Sequence, residues 1–396
     1  MKKTLILLLL IIIQSTDSLK AQNKQIIVDN NNRFAIDVYK ELKENKSNLI
    51  FSPFSISTAM AMTYAGAENK TAKEFQKTLF FLEDKQLFHQ EFNHLFQGIA
   101  SDKKSSVEFH NANSLWIQQN FKLKDEFLNI TKKYYSSALY YTDFNQKGKS
   151  AEKINGWVEK NTQNKIRNLI QPSALGSDTR LVLINALYFK GRWDKPFRKE
   201  KNSEEPFTTA RNEEVTTTFM NGQIKTWYYK DCLKEIIEIP YTNKDYALMI
   251  ILPKNYRKLK WVERFLSVRC LERYEKKKER YNVQIAVPRF AIGSEFNLKD
   301  IFKELGMEDA FTGSADFSGM TEETKLYIDQ VIHKAIIDVN EEGTEAAAAT
   351  AVVMRKTSVL MENVTFKANR PFIYAIRNTK DGTIYFLGKI MNPKNN

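Results

Sequence analysis

The chain has 396 residues, of which 42% are hydrophobic and 27% charged, a balance that supplies a large buried core and excludes wholesale disorder. Its 14 Gly and 9 Pro are spread over the whole length, so no flexible linker divides it and one domain is expected. A formal net charge of +13 favours anionic partners over cationic ones.

Residues 1–21 have the layout of a secretory signal peptide. Lys2 and Lys3 precede an unbroken apolar run from Leu5 to Ile13, and a polar stretch leads to Ala21 before Gln22. The run is too short to span a bilayer as a helix. A mature domain of residues 22–396 is expected outside the cytoplasm, extracellular or, in a bacterium, periplasmic.

Helical patterns follow. Arg33 to Leu42 places Phe34, Ala35, Val38, Tyr39 and Leu42 at helix spacing. Ser55 to Gly66 is apolar nearly all round, which suits a helix in the middle of a core. Asp84 to Ile99, Asp125 to Tyr135 and Ala151 to Leu169 are amphipathic candidates. His89 and His94 are five apart, a poor spacing for shared metal ligation, and are expected at the surface.

From Leu181 the texture turns to strands. Leu181 to Phe189 is continuously apolar, as in a strand covered on both faces. Ile236 to Ile239, Tyr246 to Leu252, Asn282 to Pro288 and Leu326 to Val339 follow, then Phe372 to Ile376 and Thr383 to Ile390 around a Lys380-Asp-Gly turn. Helices first and strands later predict an α+β fold.

Lys254 to Arg280 holds eleven Lys/Arg against four Glu. That stretch is either a solvated basic face or a site for a polyanion such as a sulfated glycan or nucleic acid. Cys232 and Cys270 are too few for a disulfide framework; they pair once, or sit apart as small buried hydrophobes. Asn45, Asn69, Asn129 and Asn363 each begin a glycosylation acceptor pattern, relevant only in a eukaryotic host. Gly-x-Ser-x-Gly, His-Glu-x-x-His, P-loop and Gly-x-Gly-x-x-Gly motifs do not occur. With 4 His in all, neither an enzyme active site nor a cofactor or metal is expected.

One segment fits two states. The alanines of Glu341-Glu-Gly-Thr-Glu-Ala-Ala-Ala-Ala-Thr-Ala-Val-Val-Met-Arg-Lys-Thr-Ser favour a short helix by propensity. Its alternation suits a half-buried strand instead. Thr344, Ala346, Ala348, Thr350, Val352 and Met354 are uncharged, whereas Glu345 and Arg355 fall in the other set. Gly343 stands where a loop would bend.

This segment resembles the hinge and reactive-centre loop of the serpin family. So do Asn48-Leu-Ile-Phe-Ser-Pro-Phe-Ser-Ile, Asn185-Ala-Leu-Tyr-Phe-Lys-Gly-Arg-Trp-Asp-Lys-Pro-Phe, Phe366-Lys-Ala-Asn-Arg-Pro-Phe-Ile-Tyr-Ala-Ile and Ile384-Tyr-Phe-Leu-Gly-Lys-Ile-Met-Asn-Pro, all in the family's order. The resemblance implies an α+β fold of about nine helices and three β-sheets with an exposed reactive-centre loop over about 341–362. It implies a monomeric inhibitor that traps a protease when its cleaved loop enters a sheet. The hinge falls on Glu341, Gly343, Thr344, Ala346, Ala348 and Thr350. The region where the sheet opens falls on Ser52, Ser55, Asn185 and His333, with Trp193 and Glu341 where the loop enters. Arg289 is offered to Glu341 as a charge partner where the family usually has Lys. Counting seventeen residues from Glu341 gives Thr357-Ser358 as the reactive bond; Lys356-Thr357 is the alternative. Arg355 and Lys356 suit a trypsin-like target, Thr357 an elastase-like or papain-like one. The small residues of the hinge favour an inhibitor over a carrier, storage or chaperone role.

Overall fold

The computed structural model describes residues 2–43, 47–100, 107–135, 138–322, 326–344 and 362–394, with side chains from residue 22 onward and not for 96–100. Along the chain come α1 (Lys2–Leu42), β1 (Leu49–Phe51), α2 (Pro53–Tyr64), α3 (Asn69–Leu79), α4 (Lys85–Ala100), β2 (Val107–Gln118), α5 (Asp125–Tyr135), β3 (Leu139–Thr142), α6 (Lys147–Asn161) and β4 (Leu181–Arg192). Then follow β5 (Ser203–Thr208), β6 (Glu214–Lys230), β7 (Lys234–Pro240), β8 (Tyr246–Pro253), α7 (Leu259–Arg264), α8 (Val268–Lys277), β9 (Glu279–Pro288), β10 (Phe290–Asn297) and α9 (Lys299–Glu304). The last strands are β11 (Ile328–Val339), β12 (Gly343–Thr344), β13 (Asn363–Lys367), β14 (Phe372–Asn378) and β15 (Ile384–Ile390).

Local chemistry explains where α2 and α6 begin and end. The Ser52 hydroxyl accepts from the Ser55 N–H and Pro53 takes the first helical position of α2, every residue of which is buried. The amphipathic pattern reaches Leu169, but α6 stops at Asn161. Beyond it Gln163, Asn164 and Asn168 adopt φ of 50°, 61° and 50°, left-handed conformations that end a helical ladder and that Asn tolerates better than most residues.

Two sheets organise the molecule. One has six strands in the order β10-β11-β12-β4-β2-β3, with β11 also pairing β4 directly. The other has nine, in the order β1-β15-β14-β8-β7-β6-β9-β13 with β5 on β6. Long β6 pairs β9 through Phe219–Tyr228 and β7 only through Tyr228–Lys230, so it joins two sheet regions into one ladder. Three sheet regions and nine helices among the described residues make the expected α+β architecture.

The main core gathers α1, α2 and the inward faces of both sheets, including Phe34, Tyr39, Leu183, Phe189, Ile250 and Tyr385. A second apolar cluster lies on the other face of the six-stranded sheet. There Ala151, Ile154 and Val158 of α6 pack with Val182, Ile184 and Ala186 of β4 and Ile332 of β11.

Two expectations change. His89 is buried rather than at the surface, because it follows Phe88 on the apolar side of α4 and its Nδ1 lies 2.6 Å from the Tyr135 hydroxyl; His94 is exposed. The cysteines are unpaired, and neither is a buried hydrophobe: Cys232 is exposed and Cys270 partly buried.

Ile154 is fully buried and holds α6 on the sheet. Ile154→Ala should lower the unfolding free energy by about 2–5 kcal/mol. Urea titration checks this, and a loss below about 1 kcal/mol would mean that α6 is not docked through this side chain.

Candidate functional site

β4 and β11 run parallel as direct neighbours, from Leu181 opposite Ile328 to Tyr188 opposite Ile336. Above that point β12 enters between them. Thr344 pairs antiparallel with Gly191 on one side and Val339 on the other, and Gly343 with Arg192. The chain thus carries two residues of a new strand into the top of the seam. Gly343 is obligatory there, since a Cβ would sit 2.0 Å from the Gly191 carbonyl oxygen.

Glu341 fixes the approach. Its side chain is buried, its Oε1 accepts from Asn202 Nδ2 at 2.6 Å, and Arg289 Nε lies 3.6 Å away on a half-exposed side chain. The expected charge pair forms, but the solvated Arg289 contributes modestly and Asn202 holds the carboxylate more closely. The Phe197 N–H donates to the Glu341 carbonyl at 2.8 Å and the Trp193 N–H to that of Glu342 at 3.1 Å. Trp193 is buried, donates from Nε1 to the Asn340 carbonyl at 2.9 Å and stacks on Tyr241 with ring centroids 4.7 Å apart. The Tyr241 hydroxyl lies 2.7 Å from Thr344 Oγ1. Burial pushes the Tyr241 phenol far above its ordinary value, so it stays protonated.

Halfway down the seam lies a wholly buried polar cluster. His333 Nε2 accepts from the Ser52 N–H at 3.0 Å, so Nδ1 carries the proton and donates to Asn185 Oδ1 across the two strands. Asn185 Nδ2 donates to Ser55 Oγ at 2.7 Å and to Asn113 Oδ1. Ser55 Oγ donates to Asn113 Oδ1 at 2.9 Å, and Ser52 Oγ to the Tyr385 carbonyl at 2.6 Å. The structure therefore brings together Ser52, Ser55, Asn185 and His333 as expected and adds Asn113. Sequence reasoning missed Asn113 although it is an amide beside the apolar Leu115-Trp-Ile run of β2. It also missed Asn202, which no local pattern marks. Ala346, Ala348, Thr350, Arg355, Lys356, Thr357 and Ser358 lie outside the described residues. Among the described residues no group of three or more His, Cys, Asp or Glu could hold a metal.

Burial holds His333 neutral, its pKa lowered from 6.5 to about 3, and His89 likewise to about 3. Between those values the unfolded chain binds protons that the folded chain refuses, so stability is complete above pH 6.5 and falls as pH drops. Each histidine should cost about 2 kcal/mol between pH 7 and pH 5. In denaturant unfolding at those two pH values, His333→Gln should remove about half of this histidine-linked loss. An unchanged pH dependence in the variant would rule out a neutral His333.

The comparisons with known proteins agree with this geometry. The family model for "Serpin (serine protease inhibitor)" matches residues 29–393. A serpin-like protein of Thermococcus kodakarensis is 37% identical over 381 residues, covering 96% of this chain and 88% of its own. Human Serpin B4 is 35% identical over 384 residues, covering 92% and 98% respectively. The crystal structure of human thyroxine-binding globulin superposes with a TM-score of 0.85 at 29% identity, covering 94% of this chain and 100% of that one. A strand seam with its hinge seated at the top, on a chain matched almost end to end, identifies this protein as a member of the serpin family.

Proposed function

We propose that this protein is a suicide-substrate inhibitor of endopeptidases, serine proteases in the first place and papain-like cysteine proteases as the alternative. The serpin family, to which the chain belongs, consists typically of protease inhibitors rather than catalysts. One observation carries the reading: β12 has already begun an antiparallel strand between β4 and β11.

The target's nucleophile attacks the scissile carbonyl within residues 341–362 and forms an acyl-enzyme, and the C-terminal side of the broken bond leaves. The N-terminal side stays bonded to the protease and follows the hinge into the seam. Continuing the register of Thr344 opposite Gly191 and Val339, position 346 meets Phe189 and Ile337, and 348 meets Leu187 and Ala335. Thr350 arrives between Asn185 and His333, where a hydroxyl that both donates and accepts can take up their broken hydrogen bond. The alternate set, with Glu345, faces the other side of the sheet. Hydrogen bonds of about 1 kcal/mol net each, with burial of Val352 and Met354 at roughly 1.5–3 kcal/mol each, total on the order of 10 kcal/mol. That rivals the stability of a whole domain and suffices to distort the bound protease, provided the intact state is held by a kinetic barrier.

The reactive bond is Thr357-Ser358 by spacing or Lys356-Thr357 by chemistry, the latter pointing to trypsin-like targets. Residues 1–21 are read as a signal peptide and the mature protein as secreted or periplasmic. Among the described residues no helix is long and apolar enough to cross a membrane. A carrier role is the second reading, favoured by the likeness to thyroxine-binding globulin.

Two experiments separate these readings. A single nick within residues 345–361 should raise the melting temperature of the inhibitor, and Thr344→Arg, which forces a cation into a fully buried position, should convert inhibitor to substrate with about tenfold less covalent complex. A nicked form that melts no higher, or undiminished SDS-stable complexes in the variant, would sink the insertion mechanism. A panel of trypsin-like, elastase-like and papain-like proteases, with mass spectrometry of the products, should give a new N-terminus at Thr357 or Ser358 and a mature start at Gln22. A carrier would be cut without one-to-one loss of protease activity.

A further inference from the structure

The basic stretch between Lys254 and Arg280 presents more unpaired cations than unpaired acids at the surface. Glu263 turns inward, accepting from the Tyr39 hydroxyl at 2.9 Å and pairing with Lys389 at 3.5 Å. Glu275 pairs with Arg377 at 2.5 Å and Lys278 at 2.7 Å. Among the described residues only Lys254 and Lys278 of this stretch's cations form ion pairs. Arg257, Lys260, Arg264, Arg269, Arg273 and Lys276 are exposed without one. Of the four acids only Glu263 is buried, Glu275 is neutralised by Arg377 and Lys278, and Glu272 and Glu279 stay exposed, so the surface keeps a net excess of unpaired cations.

Amid these cations stand two large apolar side chains. Trp261 and Phe265 are 51% and 54% exposed, sit one turn apart at the end of α7, and stack with centroids 6.2 Å apart. The Arg264 guanidinium lies 5.9 Å from the Trp261 ring. Leu259 and Val262 on the same helix are buried and belong to the main core. The helix is therefore anchored on one side and cannot turn its aromatics inward. Other large apolar side chains with such exposure are, among the described residues, only Ile26 and Tyr141 at 39% each.

We propose that this face, α7 with the start of α8, docks on an anionic lipid bilayer. Trp261 and Phe265, exposed beside Arg264 on a segment that also carries the exposed Arg257 and Lys260, match the two layers of such a membrane. The rings enter the headgroup boundary while the cations meet the phosphate and carboxylate charge. Each basic residue near that surface raises partitioning about fivefold. A sulfated glycan rewards the cations alone; a bilayer rewards both.

The test uses residues 22–396, the expected mature chain, in co-sedimentation with vesicles of phosphatidylcholine alone and of phosphatidylcholine mixed with phosphatidylserine, so that Lys2, Lys3 and the apolar run Leu5 to Ile13 cannot themselves hold the chain on the vesicles. Binding to the mixed vesicles should exceed binding to the neutral ones at least about tenfold and fall with added salt. Trp261→Ala with Phe265→Ala should weaken it about tenfold or more, and Arg257→Gln with Arg264→Gln about twentyfold. All four side chains are exposed, so the variants should melt as the parent does. No preference for the mixed vesicles overturns the proposal. So does binding that survives loss of both aromatics, and a retained affinity for heparin or a single-stranded oligonucleotide in that variant would assign the surface to soluble polyanions instead.

Discussion

The hydrogen bond from His333 to Asn185 spans the seam between β4 and β11, and the behaviour of the molecule turns on it. In an otherwise apolar sheet interior, a polar link is stable only while every partner is satisfied. Here Ser52, Ser55 and Asn113 complete the set. Breaking the link leaves buried donors and acceptors exposed to nothing, which costs more than the bond itself contributes. The same chemistry makes the break repairable. An incoming residue with one hydroxyl restores both halves, whereas an apolar seam would offer an inserting strand no such handle.

Around that link the sheet is poised between two pairings. The parallel ladder from Leu181 to Tyr188 is the weaker type per residue, and inserting a strand would replace it by two antiparallel ladders. Among the described residues the hinge has taken the first step with Gly343 and Thr344. Glu341, held by Asn202 and Arg289, and Trp193, locked on Tyr241 and the Asn340 carbonyl, fix the chain where it turns into the seam. On the proposed insertion mechanism the intact state would be a local optimum with a deeper one behind a barrier, a case of kinetic rather than equilibrium stability.

What the sequence made legible follows from periodicity. The all-round apolar Ser55 to Gly66 announces a central helix, and Leu181 to Phe189 a strand buried on both faces; both are found so. Arg289 and Glu341, far apart in the chain, do pair. Where tertiary contacts set the outcome, local pattern fails. β6 is a long strand whose Thr and Asn face a half-solvated sheet, so alternation is weak. α8 is an amphipathic helix so crowded with charge that the buried Tyr274 is easily overlooked. His89 is buried by α5 packing across it through Tyr135, a contact 46 residues distant. Asn113 is polar in a run that reads as core, and only the approach of Ser55 and Asn185 gives it a purpose.

The second apolar cluster adds a constraint of its own. Ile184 and Ile332 lie on opposite sides of the seam, and both pack beneath α6 with Ile154 and Val158. Admitting one strand widens the spacing between β4 and β11 by about 4.8 Å, which pulls Ile332 away from Ile184 within the one apolar cluster that also holds Ile154 and Val158 of α6. Close-packed interiors do not stretch by that amount, so α6 must lift or slide before the seam opens and settle again afterwards. On that mechanism, the barrier to insertion would be set partly outside the seam. A looser α6 would speed insertion while lowering stability. Tight docking of this helix and rapid trapping pull the same residues in opposite directions.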